Sequence, residues 1–203
     1  MRRFPRFPFL VLPLLTLLLS FGSGCRGAKP EPRQESRQDS RQPEYVPTAT
    51  IKDIMLSIVD PSADVVWDSV QTVVTAKGIV DKAPRTDEEW TEVRRGAIRL
   101  AEATNLLIMP GRHVARPGEK SEAPGVELEP AQMEELINKD PEGWKRRAKA
   151  LHDASLAALK AIDAKDAPAL NAVGERIEGA CENCHLSYWY PNQKLPPGYE
   201  GRN

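Results

Sequence analysis

The chain has 203 residues, 40% apolar and 28% charged, which is enough for one domain of up to about 150 residues with something extra. That composition excludes a disordered chain and a multi-pass membrane protein. Removing Arg2, Arg3 and Arg6 from the 28 basic residues leaves 25 against 29 acidic ones, and the body holds no basic cluster, so a nucleic-acid binder is excluded as the default.

Residues 1–24 read as a signal peptide: a basic start, an apolar run over 7–21, then Gly22-Ser23-Gly24 ahead of Cys25. The run is broken by Pro8 and Pro13 and falls short of the roughly 20 residues of a spanning helix. Small residues before a cysteine resemble the lipobox of bacterial lipoproteins, although Gly22 stands where that motif prefers leucine. The resemblance implies lipidation of Cys25 and a protein facing the periplasm, anchored to a bacterial membrane. The alternative is ordinary cleavage and a soluble periplasmic protein. Residues 25–47 are rich in Pro, Gln, Ser and charge, with Arg33-Gln34-Glu35-Ser36 echoed by Arg37-Gln38-Asp39-Ser40. So little apolar surface predicts a disordered linker.

A capping signature at Thr50 and Asp53 opens a first helix with Ile51, Ile54, Met55 and Ile58 on one face. Asp60-Pro61 predicts a break, after which the helix resumes through Val65, Val66, Ser69, Val70 and Val73. Thr86 and Glu89 open a second helix, whose stripe from Trp90 to Ile108 ends at Pro110-Gly111. The stretch from 109 to 130 has no periodicity and is long for a turn, with a short helical turn expected around 133–137. Asp140-Pro141 opens a third helix through Trp144, Ala148, Leu151, Ala158, Leu159 and Ile162. Asp166 with Pro168 opens a fourth, which carries Leu170, Val173, Ile177, Ala180, Cys181 and Cys184 on one stripe. No strand pattern stands out. The expectation is an all-α, antiparallel four-helix bundle.

Cys181-Glu182-Asn183-Cys184-His185 has the C-x-x-C-H spacing of covalent haem attachment. Thiols three apart on a helix face the same way and can add to two vinyl groups of one porphyrin, and the adjacent histidine then reaches the iron. Chance would give this pattern in about 6 of 10,000 chains of this composition. Other uses of the cysteines fit worse. A redox-active pair belongs at a helix start in a βαβ setting, a zinc site needs four ligands, and a disulfide across three residues stabilises little. The expected cofactor is therefore one covalent haem c, held near one end of the bundle.

A C-x-x-C-H near the C-terminus, on the last of four helices, resembles the class II c-type cytochromes, the family of cytochrome c-prime and the cytochrome c-556 type. The likeness covers residues 48–191 as the cytochrome domain and leaves 192–203 as a C-terminal tail. It implies thioethers at Cys181 and Cys184, His185 as proximal iron ligand and, as in the c-556 type, a distal methionine early in the first helix, here Met55. Met109, His113 and Met133 lie at the same end of such a bundle and rival Met55. A core methionine filling a gap is the plain alternative for Met55 itself. Tyr188, Trp189 and Tyr190 either cover a haem edge or pack in the core, while Trp67, Trp90 and Trp144 read as core and His152 as solvated.

The functional expectation is a monohaem electron carrier that makes or breaks no substrate bond and is therefore not an enzyme, served by periplasmic or membrane redox partners. The alternative is a five-coordinate haem of the c-prime type that binds NO or CO. A peroxidase-like enzyme has only Arg112-His113 to offer as a distal pair. Members of both types often dimerise through their first two helices, so a homodimer is one expectation of the resemblance.

Overall fold

The structure is a computed structural model that describes residues 45–193. The expectations for the signal peptide, Cys25, most of the linker and most of the tail lie outside those residues. The described chain is mostly helical, with one small two-stranded antiparallel sheet.

The first helical rod starts as α1 (Ile51–Ile54), passes through a π-helical turn (Met55–Val59) and continues as α2 (Asp60–Trp67). The expected capping box forms: the Thr50 hydroxyl accepts from the Asp53 amide at 3.0 Å, and Asp53 accepts from the Thr50 amide at 3.0 Å. Asp60-Pro61 does not break the rod. Pro61 lacks the amide that would close an α-helical bond, and its ring would crowd the carbonyl four residues back. The wider π turn just ahead of it relieves that crowding while the chain stays helical.

The rod stops at Trp67, not at Val73. Residues Gln71–Thr75 (β1) and Gly78–Lys82 (β2) form a hairpin with Val73 opposite Val80 and Val74 opposite Ile79. This corrects the all-α expectation. Thr72, Val73, Val74 and Thr75 are all β-branched, and the two-residue link ends at Gly78, whose φ of +123° few other residues adopt. Val65, Val66 and Val70 happen to continue into Val73 at helical spacing, which disguises the start of the strand.

Helix α3 (Asp87–Leu107) opens with the predicted Thr86–Glu89 capping box. The short turn expected around 133–137 is a full helix, α4 (Pro130–Lys139). Helices α5 (Pro141–Asp163) and α6 (Ala167–Tyr188) begin where Asp140 and Asp166 accept from the Gly143 and Ala169 amides. The contacts form a ring: α2 packs on α3 and α6, α3 on α5, and α5 on α6, with α4 against α5 and α6. Ile54, Val66, Leu100, Ala158, Leu170 and Ile177 fill its centre and are at most 1% exposed. Gly96 lets α3 approach α2 closely, because a Cβ there would lie 2.7 Å from Val65 Cγ1.

The loop over 110–129 closes one end of this ring and is tied to the first rod. The Ile51 and Lys52 amides, free at the start of α1, donate to the carbonyls of His113 and Val114 at 2.9 and 3.0 Å. Arg112 donates to the carbonyls of Leu106 and Ala49, and Arg116 pairs with Asp53 at 2.7 Å. At its far end, the Leu128 amide donates to the Trp189 carbonyl at 2.9 Å. The loop thus joins the start of the first rod to the end of α6.

Candidate functional site

The last turns of α6 carry the C-x-x-C-H sequence. Cys181 and Cys184 are both free thiols, and three-residue spacing puts them on the inner helix face with Ala180 and Ile177. Burial pushes both thiols up to about 12, with Asp60 adding to the effect at Cys181 and Cys181 at Cys184. Arg147 pulls Cys184 the other way. Burial also holds the His185 imidazole below its ordinary value, against the opposing charge of Glu182. The motif therefore presents two protonated thiols and a neutral imidazole.

All three residues open onto empty space inside the fold. A cavity of about 120 Å³ has walls from Met55, Ala63, Trp67, Leu107, Leu151, Cys181, Cys184 and His185. A second, of about 220 Å³, lies under the 110–129 loop and α4, walled by Ile51, Val114, Met133, Ile137 and Trp189 among others. Met55, Asp60, Trp144, Cys184 and His185 line both, so the two spaces meet at the motif. The lining is mainly apolar, with charged groups confined to a few positions.

Of the candidate distal residues, the fold brings Met55 and Met133 to this space and leaves Met109 and His113 out of its walls. Met55 faces both cavities and Met133 only the larger. Met109 is held by Arg112, whose Nη2 lies 3.3 Å from its sulfur, and the His113 side chain is 74% exposed beside Glu134 at 2.9 Å. Arg112 is spent on the backbone carbonyls of Leu106 and Ala49 and His113 stays outside the cavity walls, so the Arg112-His113 pair offers no distal catalytic group. His152 is partly buried near Asp153 and lines neither cavity.

The aromatic residues after the motif divide their roles. Tyr188 is buried edge-on against Trp144, with ring centres 5.3 Å apart. Trp189 and Tyr190 enclose the imidazole, at 4.8 and 5.8 Å from the His185 ring. Tyr190 is fixed by its hydroxyl, which donates to Glu182 at 2.7 Å. Burial and then that carboxylate raise the phenol above its usual range. Trp144 donates its indole N–H to the Leu107 carbonyl at 2.9 Å and so carries α3 and α5 against the same space.

Three participants escape a reading of the sequence. Asp60 reads there as a helix restart, yet it lines both cavities, and burial followed by Asp64 raises its carboxyl above the usual range. Arg147 lines the smaller cavity. Its signal is present in the sequence: it lies three residues after Trp144 and four before Leu151, on the apolar stripe of the third helix. Glu182 is a spacer inside the motif whose role needs Tyr190, eight residues away.

Among solved structures, one named cytochrome c' aligns with 70% of this chain and 98% of its own, at 20% identity and a TM-score of 0.42. No family model matches the chain, and no curated protein does. Among the described residues, no group of three His, Cys, Asp or Glu could hold a bare metal ion, and no helix is long and apolar enough to cross a membrane. The donor set suits a porphyrin instead: paired free thiols, one neutral imidazole and a thioether facing an apolar space.

Proposed function

We propose that residues 48–191 form an antiparallel four-helix cytochrome domain of the class II c type that carries a single haem c and transfers single electrons. One observation carries this reading. Two free thiols and a neutral imidazole on the last turns of α6 open onto the same apolar space that Met55 faces from the first rod. Cys181 and Cys184 would hold the porphyrin through thioethers, with His185 as proximal and Met55 as distal iron ligand. Bound there, the haem supplies a ferric/ferrous couple.

The chain's own residues do the rest. Trp144, Leu151 and Trp67 wall the smaller cavity and would exclude water from a ring held there, and burial favours the neutral His185, the form in which its nitrogen can ligate. Trp189 and Tyr190 restrain that imidazole edge-on. Such a site alters no substrate bond, so the reading is of a carrier and not an enzyme. A lipidated Cys25 and the 25–47 linker would hold the domain on a bacterial membrane facing the periplasm, within reach of periplasmic or membrane redox partners.

The test is the mass and optical spectrum of protein exported by a bacterium with a c-type maturation system. The reading expects one added haem mass and a low-spin ferric spectrum with a methionine-to-iron charge-transfer band that Met55→Leu abolishes. A high-spin spectrum with rapid uptake of carbon monoxide on reduction would replace electron transfer by gas binding at a five-coordinate iron. Colourless protein with unmodified thiols would remove the haem.

A further inference from the structure

Arg147 is the one guanidinium that lines either cavity among the described residues. It is half-buried, and among the described residues it makes no hydrogen bond or ion pair. Its neighbours on α5 differ: Lys145 pairs with Glu142, Arg146 with Asp140 and Lys149 with Asp153. Arg147 stands apart because it shares the apolar stripe of Trp144 and Leu151, while the other three lie on the exposed side. A partly buried cation that lines an apolar space with no acceptor gains from an anion or polar ligand placed there.

The groups facing it limit what that anion can be. Asp60, across the cavity on α2, is the only acid in the walls of the smaller cavity, and no hydrogen bond joins it to Arg147. From α6, Cys184 and Tyr188 both feel the charge of Arg147, and Tyr188 also feels Asp140 and Arg146 near the start of α5. No carboxylate among the described residues satisfies Arg147. The porphyrin of the proposed site brings two carboxylates of its own, and the inference rests on that reading.

The larger cavity is a poorer host for an anion. Its walls hold Lys52 and Lys120 against Asp60, Glu122 and Glu127, and Lys52 is already bonded to Glu122 at 2.7 Å. We propose that Arg147 is a carboxylate-binding residue of the smaller cavity, which takes one haem carboxylate in a two-pronged hydrogen bond and so holds that carboxylate in its ionised form. A guanidinium fork matches a carboxylate in a way an ammonium cannot.

The experiment uses haem-loaded wild-type protein, Arg147→Lys and Arg147→Gln, each labelled with carbon-13 at the haem carboxylates and titrated by NMR. In the wild type one carboxylate should stay ionised to a clearly lower pH than the other. The gap should shrink in Arg147→Lys, which offers one point charge in place of the fork, and vanish in Arg147→Gln. Carboxylates that titrate together in the wild type, or a gap that Arg147→Lys leaves unchanged, would overturn the assignment even where Arg147→Gln fails to mature. Wild-type protein without a haem mass would overturn the haem reading and the assignment with it, a result distinct from haem-loaded protein with an unaltered gap.

Discussion

Gly96 offers a quantitative test of the packing that positions Met55. In Gly96→Ala the new Cβ would sit 2.7 Å from Val65 Cγ1, 2.9 Å from Val65 Cβ and 3.3 Å from the Ser62 carbonyl. Carbon atoms in comfortable contact lie about 3.5–4.0 Å apart. Val65 cannot rotate away freely, since a branched side chain has one strongly preferred rotamer in a helix and its Cβ moves only with the backbone. The whole of α2 must therefore shift from α3. Overpacking of this kind costs about 1–3 kcal/mol, whereas alanine in place of glycine inside a helix returns about 1 kcal/mol. The net expectation is a loss of about 1 kcal/mol, measured as a lower urea midpoint at unchanged slope. A double-mutant cycle isolates the cause: Val65→Ala should cost less when combined with Gly96→Ala than it does in the wild-type chain. If Gly96→Ala stabilises by the full helix-propensity value, or if the two costs are equal, the close approach of α2 and α3 is wrong.

Other consequences can be measured independently. In haem-free protein, the raised thiols and lowered imidazole set a window of greatest stability between roughly pH 6.5 and 8.5. Above it the unfolded chain releases thiol protons that the folded chain keeps, and below it the unfolded chain takes up an imidazole proton that the folded chain refuses, so stability falls on both sides. Flat unfolding midpoints across roughly pH 5.5 to 10 would contradict the burial of the motif. Trp144→Phe leaves the buried Leu107 carbonyl without its donor at a cost of about 1–3 kcal/mol, visible as a lower thermal midpoint. Arg112→Ala removes the donors to the Ala49 and Leu106 carbonyls, and hydrogen exchange at the Ile51 and Lys52 amides should accelerate while the α5 and α6 core stays protected.

The helices are legible in the sequence because their signals are local. Thr50 with Asp53, Thr86 with Glu89, Asp140 and Asp166 each satisfy amides within three residues of themselves, and each marks a helix start that the structure shows. The C-x-x-C-H spacing is equally local, whereas chain topology brings Met55 to that end together with Met109, His113 and Met133, and only the cavity walls separate them. What escapes depends on competition between patterns or on distant partners. The hairpin loses to a helical reading because Val66, Val70 and Val73 keep helical spacing into the strand, and only the Gly78 turn and the β-branched run on each side tip the balance. Arg147 stands at a stripe position between Trp144 and Leu151 in the sequence, but only the fold shows that it lines a cavity and has no acid paired with it.

Asp60 is the most instructive case, because an α-helix would not place it beside Met55. Residues five apart on an α-helix diverge by more than a third of a turn, since 3.6 residues complete each one. Across the π turn the Asp60 amide bonds to the Met55 carbonyl, five residues back, so the two side chains leave the rod on nearly the same side and reach both cavities together. The extra residue that accommodates Pro61 thus brings a carboxyl to the same space as the thioether. A proline read only as a helix breaker predicts neither the continuous rod nor the pairing. Its physical effect here is to widen one turn, and that widening puts both a soft sulfur and a partly desolvated acid in front of the motif.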